Sequence, residues 1–503
     1  MKFRFVLRLA VALLSITLVP LAAGAQVTQA EYASRRNALA AALGDGVLIA
    51  FGSPEPEEDY ISFFQNSQFR YLTGFNEPEA ALVLDIKGGK LVGQHLFVRR
   101  SDPARETWTG KRLGVPGVKQ WMSLEGHPNS ALLRTLDSLL ARSGTTVLHV
   151  VGNYDPLHMV LSADDQFVRV VASRRPNVTV KSANLAVLQL RRVKTAAELD
   201  LLKKAVAITV DAQREAMRAM GPGQNEFEIQ ALIEYTFRRN GAERPGFSSI
   251  IGSGPNSTTL HYNADDRFFG DRDVVVMDIG ALYGGYSADV TRTIPVSGKY
   301  SADQRSIYQI VRDAQAAAER QAKLNGPARA LTDSASAVLA DGLAKLGLIE
   351  SAGATYDCSA ASTAQCRQLT LFYYHGLGHG IGLDVHDPGA ATGMGSLVAG
   401  SAFTIEPGIY VRENLLDIIP RTPRNLAMIE KIRPAVERYR NIGIRIEDDY
   451  IMTDRGVEWI SRAPREMNEI EAVMAEPWTG LSARDKAKLE WYNTMKPGVF
   501  IER

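Results

Sequence analysis

With 503 residues, 45% of them hydrophobic and 22% charged, the chain has enough apolar material for two or more domain cores, which excludes a disordered or collagen-like polymer. Its 57 basic and 56 acidic residues are interspersed and give a formal charge of +1, so there is no basic footprint for nucleic acid. A small molecule or a peptide is the expected partner.

Residues 1–25 read as a separate unit. Lys2, Arg4 and Arg8 precede the apolar run LAVALLSITLVPLAA, and Ala23-Gly24-Ala25 supplies a small-x-small exit. This is the pattern of a secretory signal peptide, which implies export to the periplasm or beyond. An uncleaved anchor is the alternative, disfavoured by Pro20 and the small-residue exit. The three basic residues of this segment leave −2 for the remainder, in which no apolar run is long enough to span a bilayer. No stable membrane anchor is therefore expected after cleavage.

Residues 26–176 are expected to form an α/β amino-terminal domain. YASRRNALAAAL (32–43) has helical spacing, GVLIAFG (46–52), AALVLDI (80–86) and HLFVRR (95–100) read as strands, and 129–142 reads as helix. TTVLHVVG (145–152) and VRVVA (168–172) read as further strands before the break at Arg174-Arg175-Pro176-Asn177.

Residues 177–470 form the second expected domain. It opens with a helix through LRRVKTAAELDLLKKAVAITVDAQREAMRAM that ends at Gly221-Pro222-Gly223, then one through NEFEIQALIEYTFRRNG. Strand-like runs at 248–252, 274–280, 286–296, 403–411 and 443–453 surround helical segments at 303–323 and 332–346, an α+β layering. Residues 413–441, punctuated by Pro420, Pro423 and Pro434, read as a surface insertion beside the site, and residues 471–503 as a charged, partly helical tail carrying Trp478, Trp491 and Tyr492. Cys358 and Cys366 flank SAASTAQ; a loop-stapling disulfide is the first reading and two free thiols the alternative.

The chemistry gathers in four strings: VVVMDIGALYGGYSADVTRT (274–293), HGLGHGIGLDVHD (375–387), TIEPGIY (404–410) and GIRIEDD (443–449). They contain five oxygen or imidazole donors: Asp278, Asp289, His379, Glu406 and Glu447. Four carboxylates and one histidine suffice to hold two divalent ions side by side, the bridging carboxylates offsetting repulsion between the cations. Asp278 closes an apolar strand, where an unpaired anion would be costly unless paired or metal-bound. Arg445 and Glu447 alternate with Ile444 and Ile446, so in a strand they share the polar face.

Singly, each residue has a bland reading. Asp278 and Asp289 suit strand ends, Glu406 before Pro407-Gly408 suits a turn, and His386 suits a hydrogen-bonded structural role. His375 and His379 lie four apart, yet Gly376 follows His375 where a helical zinc-protease motif needs glutamate, and the alternating glycines argue against a helix. A phosphate-binding loop is also disfavoured, since no lysine follows.

Together and in this order, the strings resemble those of the pita-bread metallopeptidases, a group spanning methionine aminopeptidase, aminopeptidase P, prolidase and the metal-free creatinases. YASRRNALAAAL, FRYLTGFNEPEAALVLD (69–85) and FVRRSDPARETWTGKRLG (97–114) look like the amino-terminal domain of the aminopeptidase P branch. The resemblance implies that Asp278 holds one metal, Asp289 and Glu447 bridge both, and His379 and Glu406 complete the second. Two divalent ions are implied, Mn²⁺ being usual, which agrees with hard oxygen donors and a single imidazole. Glu406 would also shuttle the proton, His386 stabilise the tetrahedral intermediate, and His261 and His375 line the substrate pocket. Arg445 and Tyr410 would brace the ligands.

The implied reaction is removal of the residue before proline from proline-containing peptides, by a homo-oligomer of two or four chains. A prolidase acting on Xaa-Pro dipeptides is the nearest alternative, and a catalytically silent peptide-binding module the remote one. Two departures stand out: Asn66 and Gln68 occupy positions where similar proteins often carry acids, and the 413–441 insertion and the Cys358 to Cys366 loop are placed to cap the cleft.

Overall fold

The computed structural model describes residues 27–481 apart from 59–60, 123, 143, 155–156, 158–159 and 390–394. The expected signal peptide and the tail residues Trp491 and Tyr492 lie outside the described residues. Among the described residues no helix is long and apolar enough to cross a membrane.

The amino-terminal region is built on one mixed sheet of six strands: β1 (Gly46–Phe51), β2 (Ala81–Lys87), β3 (Lys90–Val98), β4 (Glu125–Pro128), β5 (Val147–Val151) and β6 (Thr179–Ser182), in the order β4-β3-β2-β1-β5-β6. β1, β2 and β3 run as an antiparallel meander, while β4, β5 and β6 join in parallel. Every residue of β1 is buried, because helices cover both faces. The sheet extends to Ser182, past the boundary expected at 176.

The run at 168–172 is not a strand. It lies in the helix Ala163–Arg174, which Ser162 and Asp165 start with a reciprocal capping box. Val168 and Val171 are buried three residues apart while Val170 is exposed, a helical period that a short β-branched run conceals. Likewise the single long helix expected from Leu190 is two, Asn184–Arg191 and Ala196–Ala219. Thr195 and Glu198 cap the second.

The second region places helices 196–219, 226–239, 302–321 and 329–345 against small antiparallel sheets. One sheet pairs Val274–Ile279 with Ile250–Ser253 and Val290–Pro295; another pairs Asp448–Thr453 with Ala402–Ile405 and Gly456–Trp459; a two-stranded ribbon pairs Gly408–Val411 with Ile442–Arg445. A single apolar cluster runs from Leu39 and Phe69 through Leu202 and Met277 to Ile405 and Ile444.

Three strands that the sequence presents as continuous are each interrupted. Tyr286–Ser287 is separated from Val290–Pro295 by Ala288-Asp289, Ala402–Ile405 from Gly408–Val411 by Glu406-Pro407, and Ile442–Arg445 from Asp448–Thr453 by Ile446-Glu447. Each break contains one predicted ligand. Leaving the ladder frees a side chain from the strict up-down alternation of a strand.

The 413–441 segment is more than a surface insertion. Helix Pro423–Tyr439 buries Met428, Ile429, Ile432, Val436 and Tyr439, with Pro434 on its exposed side. Asn425 joins it to a hairpin by accepting from the Asp357 N–H at 2.9 Å and donating to the Asp357 carbonyl at 2.9 Å. Cys358 and Cys366 are disulfide-bonded on that hairpin, with Cα atoms 5.6 Å apart, so the staple reading holds.

Candidate metal centre

Asp278 sits on Val274–Ile279 opposite Thr291 in the neighbouring strand. That register brings Asp278, Asp289 and Thr291 to one end of the sheet, where Glu447 joins them. The Glu447 N–H donates to the Thr291 carbonyl at 3.1 Å, and the Thr291 hydroxyl donates to Glu447 Oε2 at 2.8 Å. Asp289 is held by its own N–H, which donates to Asp449 Oδ2 at 3.1 Å.

The glycine-rich string supplies His379. A Cβ on Gly378 would lie 2.2 Å from the Thr404 carbonyl oxygen, and one on Gly380 would lie 2.4 Å from that of Asp387, so only glycine permits this approach. Backbone bonds from Thr404 N–H to the His379 carbonyl and from Glu406 N–H to the Leu377 carbonyl lock the string beside Glu406.

His379 Nε2 lies 3.4 Å from Asp289 Oδ2, 3.6 Å from Glu406 Oε1 and 3.8 Å from Glu447 Oε1. Its Nδ1 lies 3.0 Å from the Gly380 carbonyl, which accepts the ring proton and leaves the Nε2 lone pair facing the acids. Burial lowers the His379 pKa to about 4, so the ring is neutral, the ligating form.

On the other side, Arg445 Nη2 donates to Asp278 Oδ2 at 2.6 Å and Nη1 to the Tyr410 hydroxyl at 3.1 Å. Tyr410 in turn lies 2.8 Å from His375 Nε2, and His375 Nδ1 is 2.7 Å from the Gly376 carbonyl. With Nδ1 donating to that carbonyl, Nε2 accepts from Tyr410. Both nitrogens of His375 are thereby engaged within the protein, although the ring edges the cavity. Burial lowers this imidazole as well, to about 4.

The acids are electrostatically frustrated. Burial, then the carboxylates around them, raise Asp289 and Glu447 well above their ordinary range, and burial raises Glu406 to about 8. Asp278 Oδ1, Asp289 Oδ1 and Glu447 Oε1 are buried without a hydrogen-bond partner. Buried carboxylate oxygens left unpaired are costly, and a cation would compensate them. The donor set of oxygens and one imidazole, without thiolate, fits hard divalent ions.

All five predicted donors line one cavity of about 530 Å³, with His261, His375, His386 and Arg445. His386 packs edge-on against His379 with ring centres 4.3 Å apart. Arg445 and Glu447 thus both turn inward as expected, Arg445 from the end of its strand and Glu447 from the break that follows. Phe247, Ser248, Ile250, Leu260, Asn263 and Val385, which the sequence reading did not single out, complete the wall. Asp449 and Thr291, which hold Asp289 and Glu447, carry no signal of that role in the sequence, although they lie in GIRIEDD and VVVMDIGALYGGYSADVTRT. The disulfide hairpin and the 413–441 segment do not line this cavity, contrary to the capping role expected of them.

The family model of metallopeptidase family M24 matches residues 200–454, half of the chain and all five donor positions. The chain belongs to metallopeptidase family M24. A second model, the aminopeptidase P amino-terminal domain, matches residues 32–149. The M24 chain is 32% identical to the Xaa-Pro aminopeptidase of Escherichia coli over 89% of its own length and 98% of that protein's. It is 28% identical to the human Xaa-Pro dipeptidase over 86% and 89%. Among solved structures, proline aminopeptidase P II from Yersinia pestis superposes with a TM-score of 0.75 at 30% identity, covering 89% of this chain and 99% of that one. A single-residue variant of Escherichia coli aminopeptidase P in complex with substrate gives 0.74 at 30% identity, covering 89% and 98%. The α+β architecture, an amino-terminal α/β domain followed by a pita-bread catalytic domain, is therefore as expected. M24 membership implies divalent metal ions, and the orphaned oxygens fit them.

Proposed function

We propose that this chain is a metal-dependent Xaa-Pro aminopeptidase that releases the amino-terminal residue preceding proline. The observation that carries the reading is the convergence of Asp278, Asp289, His379, Glu406 and Glu447 on one cavity, with orphaned carboxylate oxygens, in a chain matched along most of its length by Xaa-Pro aminopeptidases.

Asp278, Asp289, His379, Glu406 and Glu447 would hold two divalent ions, Asp289 and Glu447 bridging them. Mn²⁺ is the ion proposed, because four carboxylates and one imidazole suit it. When bound, such ions lower the pKa of water and polarise a carbonyl oxygen. Glu406, which lines the cavity beside the other donors, takes the proton of the attacking water and passes it to the proline nitrogen as the carbon–nitrogen bond breaks. His386 stabilises the oxygen of the tetrahedral intermediate, and His261 and His375 shape the pocket. Arg445 holds Asp278 in place from behind. Residues 1–25 are proposed to direct export to the periplasm or beyond, and the chain to act as a homo-oligomer.

Hydrolysis of an Xaa-Pro-Yaa tripeptide, compared with the Xaa-Pro dipeptide, tests the reading with Mn²⁺-loaded protein and a chelator control. Chelator-sensitive release of the first residue from the tripeptide is expected. Preference for the dipeptide would favour the prolidase reading, for which the human Xaa-Pro dipeptidase is the relevant relative. Inactivity on both would defeat the proposal.

A further inference from the structure

A second group of metal-ligating side chains lies in the amino-terminal sheet, on its edge. His95 projects from β3, and Glu125 and His127 project from β4, the edge strand that pairs with it in parallel. The register sets His95 opposite Glu125, and period two puts His127 on the same face. His95 Nδ1 lies 3.1 Å from His127 Nε2 and 3.1 Å from Glu125 Oε2, and His127 Nε2 lies 3.5 Å from Glu125 Oε1.

The 3.1 Å between the two ring nitrogens is close to the ~3.3 Å edge of a tetrahedron whose metal–ligand bonds are ~2.0 Å long, and the Glu125 carboxylate presents one oxygen to each ring. Protons satisfy the arrangement less well. If His95 Nδ1 donates to His127 Nε2, that second nitrogen presents only a lone pair and cannot donate to the carboxylate oxygen beside it. If each neutral ring instead turns its N–H toward one Glu125 oxygen, two donors face each other across 3.1 Å. One divalent cation would satisfy both nitrogens and the carboxylate at once.

The surroundings favour this arrangement. The His127 ring stacks on Phe97 at 5.1 Å between centres and 24° between planes, which fixes its orientation. Gly93 makes room for the other ring, since a Cβ there would lie 2.9 Å from His95 Nε2. The β2–β3 register shifts at Asp85/Ile86, beside Gly93. Asp85 is paired with Arg142 and so lies outside the donor set. The side chains of His95 and His127 are 17% and 25% exposed while that of Glu125 is 65% exposed, so the group has two protected imidazoles and one side open to solvent.

We propose that His95, His127 and Glu125 form a mononuclear site for a borderline transition-metal ion of the Zn²⁺ class, its fourth position taken by solvent. Two imidazoles and one carboxylate select Zn²⁺ over Mn²⁺, the opposite of the oxygen-rich centre in the catalytic domain. The ion ties the four-residue edge strand β4 to β3 and so stabilises the amino-terminal sheet.

Elemental analysis after equilibration with Zn²⁺ and gel filtration tests this on the full chain. The His95→Asn/His127→Gln double variant should hold one equivalent fewer per chain than the unaltered protein, whatever Zn²⁺ does at the catalytic centre, since that contribution is common to both. Zn²⁺ should raise the Tm of the Mn²⁺-loaded unaltered protein by several degrees but not that of the variant, with Mn²⁺-dependent turnover equal in the two. Should the double variant not fold, Glu125→Gln, a change at an exposed side chain, should weaken the same Zn²⁺-binding step at least tenfold. Equal Zn²⁺ content in unaltered and double-variant protein, or an unshifted isotherm in Glu125→Gln, overturns the assignment.

Discussion

Arg445 donates to Asp278 across 2.6 Å, and this single contact decides which oxygen of the aspartate is left for a metal. Oδ2 is occupied by the guanidinium, whereas Oδ1 is buried and unpaired. The Tyr410 hydroxyl and the Thr291 Oγ1 take other guanidinium donors, at 3.1 and 3.3 Å, so the arginine is fixed in its plane. A lysine cannot reproduce that fork. Arg445→Lys should therefore lower metal affinity and kcat/KM together, by about 10 to 100-fold, the usual cost of losing a group that orients a ligand. Metal titration alongside steady-state kinetics checks it; unchanged metal affinity would contradict the positioning role.

Asp289 and Glu447 are the two acids nearest His379 that carry orphaned oxygens. Asp289→Ala or Glu447→Ala should abolish hydrolysis and reduce bound metal, because each removes a proposed bridge. Neither change touches the amino-terminal sheet, whose far-ultraviolet signature and protease resistance should persist. Near-normal turnover in metal-replete assays would sink the ligand assignment.

The metal-free protein should lose stability as pH rises above about 6.5, where the lowered imidazoles of His375 and His379 no longer offset the raised carboxyls. Glu406 is raised to about 8, and Asp289 and Glu447 are raised well above the ordinary range, chiefly by burial. Between an unfolded carboxyl pKa of ~4 and those folded values, these carboxyls bind more protons in the folded state than in the unfolded chain, so their contribution to stability falls with increasing pH. A divalent ion displaces these protons, so its stabilisation grows over the same window. Tm measured with chelator and with Mn²⁺ from about pH 5 to about pH 8 should show the two curves diverging. Parallel curves would contradict the linkage.

Replacing Cys358 and Cys366 by serine should act locally. The disulfide closes a short loop, worth about 2 to 3 kcal/mol in the chain-entropy model. Its hairpin bonds to helix Pro423–Tyr439 through Asn425, but neither segment lines the cavity. Hydrogen exchange should rise in the hairpin and that helix while kcat/KM changes less than about twofold, below the scale of a single catalytic contact. A large loss of activity would show that the hairpin supports the centre after all.

The sequence by itself determined a good deal. Asp278, Asp289, His379, Glu406 and Glu447 stood out as candidate donors through the resemblance of their strings, taken together and in order, to those of the family; singly, each had a bland reading. Arg445 and Glu447 both face the cavity, as alternation predicts, although Glu447 stands just past the end of the strand, and the disulfide was the first of two readings of the cysteines around a short polar loop. Longer-range facts were not local. Three strands break where Asp289, Glu406 and Glu447 stand, and nothing in VVVMDIGALYGGYSADVTRT or TIEPGIY marks a break other than Pro407. The helix at 163–174 was read as strand because five residues of VRVVA cannot separate a period of two from one of 3.6, and the capping box at Ser162 lay outside the window. Asp449 and Thr291 became part of the site only through register, which pairs residues more than 150 positions apart. The cluster of His95, Glu125 and His127 likewise exists only because β3 and β4 pair in parallel. Side-chain chemistry is written residue by residue, but which atoms are left unpaired is decided only when distant strands meet.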